Sequence, residues 1–135
     1  MTSASTSADQ SSFRVTALSH VNVTVPEHLE AAAKHFYGNV LGLKQIQKPA
    51  GPKQHKGAWY ELGEVQLHLS VANEYATNSD RHVGYLVENI TQAERHLADS
   101  GVVIIPDPRP VAGVKRFYVR DPGGNLIEIV QAERG

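Results

Sequence analysis

The chain contains no cysteine in its 135 residues. Disulfides, thiolate nucleophiles and cysteine-type zinc sites are therefore excluded at the outset. It has no excess of either charge: 13 basic and 14 acidic side chains leave a formal net charge of −1, with neither sign gathered into a run. That argues against a nucleic-acid or membrane surface as the main partner. No apolar stretch approaches the length of a membrane span. Residues 1–12, MTSASTSADQSS, lack the basic start and apolar centre of a secretory signal and read as a solvated tail, with a cytoplasmic address as the default. With 41% hydrophobic residues, the remainder suffices for one compact domain or two very small repeated modules.

The most informative stretch present is Arg120–Val130, RDPGGNLIEIV. Asp121 to Asn125 is dense turn chemistry, since proline presets one dihedral and the glycines permit others. The aliphatic run Leu126–Val130 then reads as a strand. Side chains alternate along a strand, so Glu128 shares a face with Leu126 and Val130. A carboxylate there must reach solvent, find a partner or bind a cation, because burying it alone is costly.

Taken in order, Arg14–Val25 alternates as a strand, with Val21, Val23 and Val25 on one face and Leu18, His20, Asn22 and Thr24 on the other. Pro26 stops it. Leu29, Ala32, Ala33 and Phe36 then recur at helical spacing over Glu27 to about Gly38. A short strand is expected around Leu43–Gln47, followed by a polar loop, Lys48–Gly57, long enough to act as a cover. Ala58–Leu62 and Val65–Val71 form a hairpin, with Gln66, His68 and Ser70 on one face. After a linker at Asn73–Asp80 the order repeats. His82–Glu88 is a strand; Thr91–Ser100 is a helix with Thr91 as N-cap and Gly101 as terminator. Val102–Ile105, Lys115–Val119 and Leu126–Val130 are strands.

Strand, helix and three strands thus occur twice: residues 13–72 make the first module and 81–132 the second. His20 to His68 is 48 positions and His82 to Glu128 is 46. His20 and His82 each open a module; His68 and Glu128 each sit on its fourth strand. Imidazole and carboxylate are the usual donors for borderline divalent metals. A pseudo-twofold between modules would bring all four to one axis. A lone strand histidine is ordinarily only hydrogen-bonded and half-buried, but donors at two pairs of equivalent positions weigh toward metal binding. His68 remains open between a fourth ligand, a partner behind the ligands and a base near the substrate.

LSHVNVTV, HFYGNVLGL, GAWYELGEVQLHLS, RHVGYLV and FYVRDPGGNLIEIV together resemble the vicinal oxygen chelate superfamily, over about residues 14 to 132. That group includes glyoxalase I, extradiol dioxygenases, fosfomycin-resistance transferases and bleomycin-resistance proteins. The resemblance implies an α+β fold of two βαβββ modules in tandem, forming an open cup-shaped barrel around one divalent metal ion (iron, nickel, zinc, manganese or cobalt). It places the ligands on the first and fourth strands of each module, matching His20, His68, His82 and Glu128. Glyoxalase I enzymes typically carry glutamate where this chain has His68. Fosfomycin transferases carry Lys and Ser before the last hairpin, where Pro108, Ala112 and Arg116 stand here, and Thr in place of Asn22. Bleomycin binders generally lack the metal ligands.

The implied function is a metal-dependent lyase or isomerase, or a ring-cleaving dioxygenase, on a small oxygenated substrate, with Glu128 or a metal-bound water taking the proton. The alternatives are a non-catalytic drug-binding resistance protein and a scaffold with vestigial ligands. Asn22 and Gln66 are expected beside the ligands, as partners behind them or as substrate contacts. Trp59 reads first as cup wall and second as a substrate contact, and Tyr118 is a further candidate near the substrate. Arg14, Lys115 and Arg116 are candidate partners for substrate carboxylates. Open sheet edges point to a homodimer.

Overall fold

The computed structural model describes residues 13–51, 55–73 and 79–132. The expected tail, three residues of the Lys48–Gly57 loop and residues 74–78 of the expected linker lie outside the described residues. The first module runs β1 (His20–Val25), α1 (Glu30–His35), β2 (Gln45–Ile46), β3 (Ala58–Leu62) and β4 (Val65–Val71). Its sheet has the order β1-β4-β3-β2, with β1 parallel to β4 and the other pairs antiparallel.

β1 is shorter than the alternation from Arg14 predicts. Its neighbour β4 begins at Val65, so pairing starts with His20 opposite Gln66, and only the Ser19 carbonyl reaches one step further, to the Gln66 N–H. Among the described residues those before it have no strand to pair with, and Phe13, Val15 and Leu18 stand exposed. The helix expected over Glu27–Gly38 is built in three pieces. A 3-10 turn (Glu27–Leu29) follows Pro26, and α1 gives way to a π turn (Phe36–Val40) closed by the Leu41 N–H on the Phe36 carbonyl at 2.8 Å. The wider turn lets Phe36, Tyr37 and Val40 all reach the core. The loop after β2 is tied at its near and far ends: the Lys48 ammonium donates to the Lys56 carbonyl, and the Gly57 N–H donates to Glu30 at 2.7 Å.

The second module runs β5 (His82–Val87), α2 (Ile90–Asp99), β6 (Arg116–Arg120) and β7 (Leu126–Gln131), with sheet order β5-β7-β6 and β5 parallel to β7. The strand expected at Val102–Ile105 is reduced to one bridge, in which Ile105 and Tyr118 exchange N–H···O bonds of 2.7 and 2.9 Å. Pro106 has no N–H to extend that ladder. The N-cap of α2 is Asn89 rather than Thr91: its side-chain oxygen accepts the Gln92 N–H at 2.9 Å. Asparagine at that position is among the best caps. Asn89→Ala is expected to cost about 1 kcal/mol, read as a shift of the urea midpoint without a change in slope; an unchanged midpoint would show the cap to be idle. Gly101, at φ 85°, ends the helix as expected, in the left-handed conformation that glycine adopts without penalty.

The two modules share one core. Val25, Tyr37, Leu67 and Leu69 of the first belong to the same buried cluster as Tyr85, Leu97, Ile127 and Ile129 of the second. Polar bonds join them as well. The Tyr37 hydroxyl donates to the Asp121 carboxylate, the Asn125 amide donates to the Thr24 carbonyl at 2.9 Å, and His96 Nε2 donates to the Val40 carbonyl at 2.8 Å. The DPGGN turn therefore docks against the end of β1. Gly123 permits that approach, since a Cβ there would lie 2.7 Å from the Thr24 carbonyl oxygen.

This arrangement turns the faces bearing Val23, Val25 and Tyr85 inward and the faces bearing His20 and His82 outward. Leu86, on the same face as His82, is 72% exposed. Among the described residues, the second edges of β1 and β5 have no strand partner. The fold is α+β, two modules in tandem with open sheets.

Candidate metal centre

On the first sheet, parallel pairing sets Asn22 opposite His68 and His20 opposite Gln66, while antiparallel pairing sets Trp59 opposite His68. Three rings stack in consequence: Trp59 lies on His68 with centroids 3.7 Å apart and planes 5° apart, and His68 lies against His20 at 4.3 Å and 17°. His68 is buried, at 8% exposure, and burial, with the neighbouring His20 and Lys48, holds its pKa below the usual imidazole range. Its Nε2 donates to the Gln66 side-chain oxygen at 2.8 Å, which leaves Nδ1 as its lone pair. His20 Nδ1 is 3.0 Å from the Ser19 hydroxyl, leaving Nε2 without a hydrogen-bond partner among the described residues. Asn22 accepts from the Ser70 hydroxyl at 2.6 Å.

On the second sheet, β7 places Glu128 between Gly84 of β5 and Tyr118 of β6. The His82 Nδ1–H donates to the Asp80 carbonyl at 2.9 Å, and its Nε2 lies 3.1 Å from Glu128 Oε1. In a neutral imidazole so oriented, Nε2 carries the lone pair. Two acceptors face each other at contact distance, and only a proton or a cation reconciles them. A ring oriented through one nitrogen by a backbone carbonyl is the usual arrangement of a ligating histidine. His82 and Glu128 are donors of the kind a divalent ion takes, two of the three or four that such a centre needs.

The Tyr118 hydroxyl donates to Glu128 Oε1 at 3.5 Å, and burial followed by the Glu128 charge raises its pKa. Arg116 reaches Glu128 Oε2 at 3.5 Å and is held by Asp107 at 2.8 Å and by the Arg109 carbonyl at 3.0 Å. The guanidinium pushes the Asp107 pKa down. A cavity of about 200 Å³ opens beside this pair, lined by His82, Tyr118, Ile105, Leu126, Arg109 and Arg120 among others.

The four expected ligands thus occur as two pairs, His20 with His68 and His82 with Glu128. Among the described residues no group of three His, Cys, Asp or Glu side chains lies where one ion could be held. The convergence of all four on one axis, expected from the repeat, does not occur within the chain. Trp59, Gln66 and Asn22 surround the first pair, and Tyr118 adjoins the second. The sequence reading missed Ser19, Asp80 and Asp107, which hold these groups through hydrogen bonds that no motif announces. Arg116, a candidate partner for substrate carboxylates in the sequence, is held here by the chain's own Asp107 and Glu128.

Among the described residues no helix is long and apolar enough to cross a membrane. No curated protein matches the sequence. Among solved structures, the chain is 32% identical to a glyoxalase family protein from Bacillus anthracis, with 90% of this chain and 99% of that one covered and a TM-score of 0.78. At lower identity it shares the fold of the lactoylglutathione lyase from Agrobacterium tumefaciens, with 19% identity, 88% and 96% covered and a TM-score of 0.68. It also shares the fold of a mutant fosfomycin resistance protein from Listeria monocytogenes complexed with Mn(II) and dihydroxypropylphosphonic acid. There the identity is 14%, the coverage 89% and 95%, and the TM-score 0.75. The family model for the glyoxalase, bleomycin resistance protein and dioxygenase superfamily matches residues 17–129. With both sheets and the paired histidine and glutamate side chains in place, the chain belongs to the Glyoxalase/Bleomycin resistance protein/Dioxygenase superfamily.

Proposed function

We propose that the protein is a divalent-metal-dependent enzyme acting on a small oxygenated substrate, with each metal centre completed by two copies of the chain. His20 and His68 of one copy would meet His82 and Glu128 of the other. The observation that carries this reading is the splitting of the donors into two outward-facing pairs, each on or beside a strand with a free edge. β1 and β5 are both sheet edges, and an unpaired edge beside exposed apolar side chains such as Leu86 calls for a partner. Pairing β1 of one copy with β5 of the other brings the two ligand-bearing faces into one sheet surface.

When bound, the metal supplies Lewis-acid charge to two substrate oxygens. The chain's own groups do the rest. Asp80 orients His82 through its carbonyl, and Ser19 does the same for His20 through its hydroxyl. Glu128 is placed to accept a substrate proton at Oε1, with the Tyr118 hydroxyl and Arg116 beside it to stabilise the change of charge. Gly84, opposite Glu128, has no side chain to crowd that carboxylate. His68, held flat between Trp59 and His20, backs His20. Stacked rings do not share a plane, so His68 donates Nδ1 to the same ion only by turning out of the stack.

Metal content after reconstitution with manganese, zinc, nickel or iron tests the reading. Wild type is expected to take up one ion per chain, and Glu128→Ala to lose at least nine-tenths of it, because one of the few donors is gone. No uptake by wild type, or unchanged uptake by the variant, would overturn the metal assignment and favour a cup that binds its ligand without a metal.

A further inference from the structure

The first donor pair is braced from outside the strands that carry it. Glu30, the first residue of α1, reaches across to the start of β3, where its carboxylate accepts the Gly57 N–H at 2.7 Å. Only 19% of that side chain is exposed. Burial pushes the Glu30 pKa up, but the Gly57 N–H and the Lys34 ammonium, 3.1 Å away, outweigh it and hold it below the usual carboxylate value, with Lys56 adding a weaker pull. A charged acceptor makes such a bond roughly twice as strong as a neutral one. Gly57 itself is a bend that a side chain would block: its φ is 71°, and a Cβ there would lie 2.1 Å from the Leu69 carbonyl oxygen of β4. The chain is pressed onto the β4 backbone at this point while its N–H goes to the helix. The Lys48 ammonium ties the preceding Lys56 carbonyl, but that bond joins two parts of one loop, whereas Glu30 ties the bend to α1. Two residues after the bend stands Trp59, opposite His68 in register and stacked flat upon it.

We infer that Glu30 is a positioning residue for the first donor pair: by fixing the Gly57 bend it sets where β3 begins, lays Trp59 on His68 and so aims the His68 Nδ1 lone pair. The His68 ring has a tether of its own, the Nε2 bond to Gln66 at 2.8 Å, which fixes one point of the ring and not its plane. The plane is set by the stacking neighbours, Trp59 within 5° and His20 within 17°. The sheet alone holds Trp59 poorly on its outer side, because its neighbour there is β2, a strand of two residues in which only Ile46 stands opposite Trp59. The bond to α1 supplies the missing anchor. The inference rests on the metal-centred reading only for what the aimed lone pair does; the link from Glu30 to the stack stands without it.

The test uses full-length protein stripped of metal with a chelator. Trp59 is the chain's single tryptophan, so the indole bands of the near-ultraviolet circular dichroism report one ring. A His68 ring proton lying against the indole face is displaced upfield in the proton NMR spectrum, and its assignment follows from its disappearance in His68→Gln. Glu30→Ala is expected to lose most of that displacement and to flatten the indole bands, with the far-ultraviolet spectrum unchanged. Glu30→Gln, which keeps an acceptor for the Gly57 N–H, should restore both signals. Lys34→Ala removes the ion pair within the helix but leaves that acceptor, and it should leave both signals in place. A role confined to helix stability would instead lower the urea midpoint in Glu30→Ala and Lys34→Ala alike and leave the His68 shift where it is. An unmoved shift in Glu30→Ala, an equal loss in Lys34→Ala, or no rescue by Glu30→Gln overturns the inference. Metal uptake is measured on the same preparations. Uptake by wild type with an unmoved His68 shift in Glu30→Ala sinks this inference alone, whereas the expected shifts without uptake leave it standing and remove the metal centre.

Discussion

His20→Ala and Glu128→Ala proteins, each unable to hold metal alone, are expected to recover metal binding when they are unfolded and refolded together. The reason is the partition of donors between sheets. In a mixed dimer of the proposed kind, one centre lacks both residues and the other lacks neither. Random pairing makes half of the dimers mixed, so about one centre in four should be intact. Refolding each variant separately and then mixing provides the control, since exchange requires dissociation. If each chain builds its own centre, no mixture recovers anything, and the shared-site reading fails. Light scattering at micromolar concentration adds an independent check, because a mass of one chain is incompatible with the proposed dimer.

Asp121→Ala is expected to produce the largest loss of stability among single substitutions away from the proposed ligands. Asp121 is 4% exposed and accepts from the Tyr37 hydroxyl, from the Asn125 N–H at 2.8 Å and from the Asn125 amide at 2.9 and 3.2 Å. Tyr37 belongs to the first module and Asn125 to the turn that docks on it, so the carboxylate is the hub between modules. Burial, followed by the Asp121 charge, raises the Tyr37 pKa well above its usual value, so that hydroxyl stays a donor. Removing the acceptor strands several buried donors at once, for about 3 kcal/mol or more. For a chain of this size that lowers Tm by roughly 10 °C. Asp121→Asn keeps the shape and one acceptor and should lose about half as much. A melting temperature unchanged in Asp121→Ala would show that the modules are held by apolar packing alone.

Much of this molecule is legible in its residues because strand and helix periods are local properties. The alternation in HVNVTV and LIEIV placed His20 and Glu128 opposite the buried valines and isoleucines, and the structure keeps them there. The duplication was visible for the same reason: two modules repeat the same sequence of periods. Shorter signals were less decisive. Asn89 displaced Thr91 as cap because two cap-forming residues flank Ile90 and only the backbone geometry selects one. Val102–Ile105 has strand composition, yet Pro106 and the lack of a continuing partner leave it a single bridge.

What only the tertiary structure decided is which faces look at each other. Periodicity assigns a side chain to one face of its sheet but carries no information about the packing of one module on the next. Here the Tyr37–Asp121–Asn125 network and the shared core turn the valine-bearing faces inward. The two donor pairs are thereby left on separate outward surfaces. The same limit applies to Arg109 and Asp107, which come beside Arg116 and the His82 cavity through a proline-rich loop whose path no residue period encodes. Which side chains share a face is a local property of strands, whereas the meeting of the candidate ligands is set by long-range packing between modules.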